Sequence, residues 1–143
     1  GISTAVDTSG LVSRKEFEKV IPYTDIFLYD IKAYDEDVHI RCTGASNKII
    51  IENLRYLDEI GKKTEIRIPY VPGLNNEQIP KIAHLIKGLS CIVRVRVLPY
   101  HNYAESKYEA LGLKSTLPKK IPQKGDIQNA KKIIKSITGL EVI

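Results

Sequence analysis

Apolar and polar positions change period several times along the chain, and those changes mark out its elements. Four short apolar runs are bounded by Gly, Pro or Asp: Ile2–Gly10 (ISTAVDTSG), Asp25–Lys32 (DIFLYDIK), Thr64–Gly73 (TEIRIPYVPG) and Ile92–His101 (IVRVRVLPYH). Runs of this length and composition read as strands. Between them the apolar residues fall at helical spacing. Phe17, Val20 and Ile21 make one stripe after Ser13, and Ile50, Leu54 and Leu57 make a second, with Asn47 as its N-cap and Gly61 as its stop. The cleanest stripe is Ile79, Ile82, Ala83 and Ile86, with Pro80 in the first turn and Gly88 past the end. A last one, Ile127, Ala130, Ile134 and Ile137, stops at Gly139 and leaves Leu140–Ile143 as a short final strand. The alternation β-α-β-α-β-α-β predicts an α/β fold of right-handed parallel βα units, with helices outside the sheet.

Four such units do not close a barrel, which takes about 250 residues, and 143 residues make one domain. The chain contains no Met and opens almost directly on a strand, so we expect further strands before Gly1. The run Asp25–Ile31 is nearly all apolar, which predicts cover on both faces and a neighbour on each side. In the fourth run Val93, Val95 and Val97 alternate with Arg94 and Arg96, the pattern of an edge or half-exposed strand. Residues 102–124 are polar with interspersed Pro and Lys and read as an extended surface loop.

Composition narrows the function classes. Apolar residues at 43% and charged residues at 27% are ordinary for a soluble globular protein. No run has the length of a membrane span and no signal-peptide pattern opens the chain, so no membrane association and a cytoplasmic location are expected. Cys42 and Cys91 lie far apart without a CxxC partner, which predicts reduced thiols and no zinc site. The net charge is +5, with the densest lysines at Lys114, Lys119, Lys120 and Lys124. Aromatic residues do not interleave with them, so this is a solvated basic surface and not a nucleic-acid platform.

The chemistry sits at the strand tips. Asp7, Asp30 with Lys32, Arg67 and His101 each lie toward the C-terminal end of a predicted strand, and in α/β folds those ends converge on the rim where reactions occur. An enzyme site is therefore the leading reading. Asp30 and Lys32, two apart on one strand, point to the same face and together suit a zwitterion. Other readings of the pair are a Schiff base at Lys32 in an aldolase-type barrel and a structural ion pair. Arg67, between Ile66 and Ile68, points away from the helix layer and needs an anion: Glu65, a structural partner or a ligand carboxylate. His101 is a ligand contact or a surface histidine. Asp7 and Thr8 offer hard oxygen ligands to a cation, and Gly10 permits a tight exit from the strand. Ser9 lacks the GxSxG setting of a nucleophile.

Taken together, the motifs resemble a family. AVDTSG (Ala5–Gly10), YDIK (Tyr29–Lys32), TGASN (Thr43–Asn47) with Asn53-Leu54, IRIPYVPGLN (Ile66–Asn75), and LPYH (Leu98–His101) followed by SKYEALG (Ser106–Gly112) occur in order over nearly the whole chain. The set resembles the C-terminal part of the radical S-adenosylmethionine enzymes that activate glycyl radical enzymes, the pyruvate formate-lyase activating enzyme family. That resemblance implies a partial (β/α)6 TIM-like barrel, with residues 1–143 supplying strands three to six and the C-terminal helix. It implies a [4Fe-4S] cluster whose electron cleaves S-adenosylmethionine, giving a deoxyadenosyl radical that removes hydrogen from a glycine of the partner. It also implies a reduced flavodoxin or ferredoxin-type electron donor. By the same resemblance Asp30, Lys32, Arg67 and His101 help hold the cofactor's methionine and ribose portions. Asp7, Thr8, the Leu28 carbonyl and Asp30 match a monovalent-cation site near the cofactor carboxylate.

The chain departs from the pattern in three places. The CxxxCxxC cluster motif and the Gly-Gly-Glu turn that receives the methionine amine are absent, and the resemblance puts both before Gly1. Cys42 and Cys91 cannot replace three closely spaced thiolates, so these residues alone are expected to hold no cluster and to be inactive. Ala104 stands where the family has Gly after LPYH. A non-catalytic basic binding module is the remaining alternative.

Overall fold

In a computed structural model of the chain, which describes residues 1–103, 108, 110–114 and 118–143, the predicted strands form one parallel sheet. Strands β1 (Ala5–Thr8), β2 (Ile26–Asp30), β3 (Thr64–Tyr70) and β4 (Ile92–Pro99) pair in sequence order, β1-β2-β3-β4. Each neighbouring pair is joined by a helical crossover, as parallel pairing requires. The helices are α1 (Arg14–Glu18), α2 (Glu36–Thr43), α3 (Lys48–Glu59), α4 (Ile79–Ile86) and α5 (Lys124–Thr138).

Alternation along the strands sorts side chains onto two faces. Phe27, Tyr29, Ile66, Ile68, Val95 and Val97 turn toward the helices and join Phe17, Leu54, Leu57, Ile82 and Ile134 in one core. The opposite face carries Asp7, Asp30, Glu65, Arg67, Arg94 and Arg96. β2 lies between two strands, as its composition predicts, but only its helix-side residues are fully buried; Ile26 and Leu28 are half-buried on the charged face. Between Thr64 and Glu65 the β3–β4 register shifts by one residue, from Thr64↔Ile92 to Glu65↔Arg94. Val93 is the extra residue, and the shift puts Ile92 on the helix side while Arg94 and Arg96 face away from it.

Several expectations need correction. The Phe17–Val20–Ile21 stripe is not one helix: α1 ends at Glu18, Val20 is exposed and Ile21–Tyr23 forms a 3₁₀ turn. Pro22 has no N–H to offer the Glu18 carbonyl, so the α-helix cannot run through it. Helix α2, absent from the expected elements, buries only Val38 and His39. β4 is the last strand of the sheet and half-exposed, as its alternation predicts, and the tail covers part of its outer edge through a parallel Val95↔Val142 bridge. The stretch 102–124 is not wholly extended, since Tyr108 and Ala110 are helical. Ala104 and part of the SKYEALG segment lie outside the described residues. The other helices follow the pattern: Ile79, Ile82, Ala83 and Ile86 are buried on α4, and α5 ends on Gly139 at φ 73°.

Candidate functional site

Parallel pairing puts the C-terminal ends of all four strands on one rim, and the charged residues there make one connected cluster. Arg67 ion-pairs with Asp7 through Nη1, and its Nε lies 3.8 Å from Asp30 Oδ1. The other Asp30 oxygen accepts a hydrogen bond from Lys32 Nζ at 3.2 Å. Two cations and two carboxylates thus share a site in which Asp7 is exposed while only about a fifth of the Arg67 and Asp30 side chains is accessible. Asp30 Oδ1 and Arg67 Nε are buried and have no hydrogen-bond partner among the described residues. The two atoms face each other at 3.8 Å, an ion pair held just beyond hydrogen-bond distance. A cavity of ≈ 200 Å³ opens beside Lys32, lined by Val71, Leu74, Asn75 and Tyr100 among others.

Below this cluster lies a second. Glu65, 2% exposed, accepts the Arg96 Nε–H on Oε1 at 2.7 Å and the Arg94 Nε–H on Oε2. Burial pushes its carboxyl pKa up, but the bonds from Arg96 and Arg94 outweigh that and hold it below the ordinary range. The anion that serves Arg67 is therefore not Glu65 but Asp7 with Asp30.

Of the remaining predicted residues, Thr8 uses its hydroxyl within the turn, accepting from the Gly10 N–H at 2.9 Å. Leu28 places its backbone in β2 beside Asp7. His101 is exposed past the end of β4, with its ring stacked on Tyr103 at 4.2 Å. Asp7, Asp30, Lys32 and Arg67 come together; His101 stacks outside that ion-pair cluster.

Three buried asparagines hold the rim loops, a role the sequence reading missed. Asn53, on α3, donates from Nδ2 to the carbonyls of Gly10 and Val12, both at 2.9 Å, and ties down the turn after β1. Asn75 donates to the carbonyls of Lys32 at 2.7 Å and Pro69 at 2.6 Å, and its Oδ1 accepts from the Val71 N–H. Asn47 occupies the N-cap position of α3 but makes no side-chain cap bond; its amide reaches the carbonyls of Ala33 and Tyr34 instead. The signal was in the sequence: each Asn belongs to one of the motifs TGASN, NL and VPGLN. The turn after β1 is also fixed by close packing. Gly10 has φ 69°, and a Cβ there would lie 1.8 Å from the Tyr29 hydroxyl. That hydroxyl donates to the Ile50 carbonyl at 2.7 Å, and burial pushes its pKa up, keeping it a donor.

The residues present fit a zwitterionic cofactor but not an iron–sulfur cluster. Cys91 is buried immediately before β4, at the opposite end of the strand from the rim, and burial raises its thiol to about 11. Cys42 lies on α2 and its thiol is likewise raised by burial. Among the described residues no group of three or more His, Cys, Asp or Glu is arranged to hold a metal, and no helix is long and apolar enough to cross a membrane.

Comparison with known proteins gives consistent results. The family model described as the Radical SAM superfamily matches residues 1–86. The trans-4-hydroxy-L-proline dehydratase activating enzyme of Clostridioides difficile is 42% identical over 115 residues, 78% of this chain and 38% of that protein. The pyruvate formate-lyase-activating enzyme of Streptococcus mutans is 38% identical over 147 residues, 96% of this chain and 56% of that protein. The chain therefore spans about half or less of the length of these relatives. Among solved structures, a domain of pyruvate-formate lyase-activating enzyme from Bacteroides vulgatus aligns over 100% of this chain and 81% of its own, with TM-score 0.80 and 25% identity. Streptococcus suis SuiB bound to S-adenosylmethionine aligns over 99% of this chain and 31% of its own, with TM-score 0.73 and 17% identity, a likeness of fold.

Proposed function

Because the chain belongs to the radical S-adenosylmethionine superfamily, we propose that it is the cofactor-holding C-terminal part of an activase that places a glycyl radical on a partner enzyme. The observation that carries this reading is the rim cluster of Asp7, Arg67, Asp30 and Lys32, which gathers two cations and two carboxylates at the strand tips. S-adenosylmethionine presents a carboxylate, an ammonium and ribose hydroxyls. Arg67 and Lys32 supply cations for the carboxylate; Asp30 is the acceptor for the ammonium or the hydroxyls. His101, on the same rim, is the further contact that the family motif assigns. Asp7, Thr8, the Leu28 carbonyl and Asp30 form the monovalent-cation site, in which Asp7 and Asp30 carry the charge.

A [4Fe-4S] cluster, held by residues other than those described, would supply the electron for cofactor cleavage. Its thiolate ligands are to be sought outside residues 1–143, since Cys42 and Cys91 do not make the three closely spaced thiolates that one cluster needs. The work of this chain is binding and orientation. The asparagine clamps fix the loops so that the charged side chains leave the rim in set directions. The partner is a glycyl radical enzyme, and the electron comes from a flavodoxin or ferredoxin-type donor. The Schiff-base alternative at Lys32 has less support, because its ammonium is paired with the Asp30 carboxylate at 3.2 Å, which favours the charged and non-nucleophilic form.

The test is to incubate the reconstituted full-length protein with a reduced flavodoxin, S-adenosylmethionine and a candidate partner such as a hydroxyproline dehydratase or a pyruvate formate-lyase. A glycyl radical signal in electron paramagnetic resonance is expected. A reconstituted protein that neither cleaves S-adenosylmethionine nor radicalises any candidate would overturn the reading.

A further inference from the structure

Glu65 and its two arginines have no part in the reading above, yet they border the site directly. Register places Asp30, Arg67 and Arg96 side by side in one row across β2, β3 and β4, on the face away from the helices. Leu28, Glu65 and Arg94 form a row nearer the strands' N-terminal ends. Adjacent strands lie about 4.8 Å apart, so Arg67 and Arg96 are like charges at directly opposed positions, an unfavourable pairing. What separates them is the acid that each leans on. Arg67 reaches two strands over to Asp7. Arg96 turns out of its row toward Glu65, which also holds Arg94, so that both carboxylate oxygens are occupied.

We propose that Glu65 is a positioning residue for the cofactor site: it confines Arg96 to the lower row and so leaves Asp30 to Arg67, Lys32 and the ligand. The inference rests on reading the rim cluster as the S-adenosylmethionine site. Asp30 stands two strands from Arg96, the same reach that takes Arg67 to Asp7, and its Oδ1 faces Arg67 Nε only at 3.8 Å, beyond hydrogen-bond distance, so that a second guanidinium can compete for it. Without Glu65, Arg96 is drawn to that oxygen and brings a further positive charge beside the ligand's ammonium. The bonds to Arg94 and Arg96, each 40% exposed, stabilise the fold, but one guanidinium would neutralise Glu65 and the second asks for a reason. Keeping two guanidiniums apart supplies one.

The test is S-adenosylmethionine binding by equilibrium dialysis in the full-length protein, comparing wild type with E65Q, R96Q and the double variant E65Q/R96Q. Circular dichroism serves as the folding control. E65Q is expected to weaken binding about tenfold. R96Q and the double variant are expected to stay within about threefold of wild type, because removing Arg96 removes the competitor. If E65Q does not fold, E65D takes its place with the same expectations, since its shorter side chain cannot hold both guanidiniums. Wild-type affinity in E65Q, a double variant as weak as E65Q, or weakening by R96Q alone overturns the proposal. Absence of binding by the wild-type protein overturns the reading of the site itself.

Discussion

Arg67 of β3 ion-pairs with Asp7 of β1 across the end of β2, joining residues 60 positions apart in the sequence. The bridge passes Asp30 on the way, so three consecutive strands contribute to one charge cluster. Its geometry depends on loops held by side-chain amides, and the first two predictions concern those loops.

Asn75 bonds the carbonyls of Lys32 and Pro69 and the Val71 N–H. Asn75→Ala leaves these buried groups unmet and is expected to cost about 2–4 kcal/mol. Asn75→Asp should be at least as damaging, because a carboxylate facing two carbonyl oxygens has no N–H to offer. Chemical denaturation checks both, and a nearly neutral Asp variant contradicts the clamp.

Gly10 and Gly44 both have positive φ, at 69° and 79°, but a Cβ at Gly44 meets nothing within 4 Å. Gly44→Ala should therefore cost only the conformational strain, about 1 kcal/mol. Gly10→Ala must also displace Tyr29, which is fully buried and bonded to Ile50, and is expected to cost about 3 kcal/mol or more. Equal denaturation midpoints for the two variants would be inconsistent with the close packing at Gly10.

Acid should destabilise the fold in a defined direction. Glu65 is raised by burial but lowered further by Arg96 and Arg94; Asp58 is raised by burial but lowered further by the Cys91 N–H and Ser90. Both net shifts are downward. A depressed folded-state pKa contributes stability that is complete above the unfolded value and is lost as pH falls through the folded one. The melting temperature is thus expected to be level from neutral pH down to about 5 and to drop below about pH 4. E65Q should remove part of that acid dependence. A melting temperature that rises on acidification would contradict the assignment.

The parallel sheet and the rim charges were legible because both follow from strand periodicity: apolar runs end in Asp30, Arg67 and their neighbours, and parallel order brings the tips together. Helix α2 was not legible, since a helix burying only Val38 and His39 leaves no apolar stripe. Asn47 was placed correctly at the N-cap of α3, but its side chain clamps the loop at Ala33 and Tyr34 in place of capping, which the residue type alone does not distinguish. The partner of Glu65 depends on the register shift at Val93, which no local pattern encodes. The charge on Arg67 asked for an anion, but choosing Asp7 required the spatial order of β1 and β3.

The central claim is that Asp30 and Arg67 hold the cofactor, and the most direct measurement is S-adenosylmethionine binding by equilibrium dialysis in full-length wild type, D30A and R67A, each checked for native circular dichroism. Each variant removes one charged partner from a partly buried site, so each is expected to bind at least about tenfold more weakly than wild type. Folded D30A and R67A proteins that both bind with wild-type affinity would contradict the account.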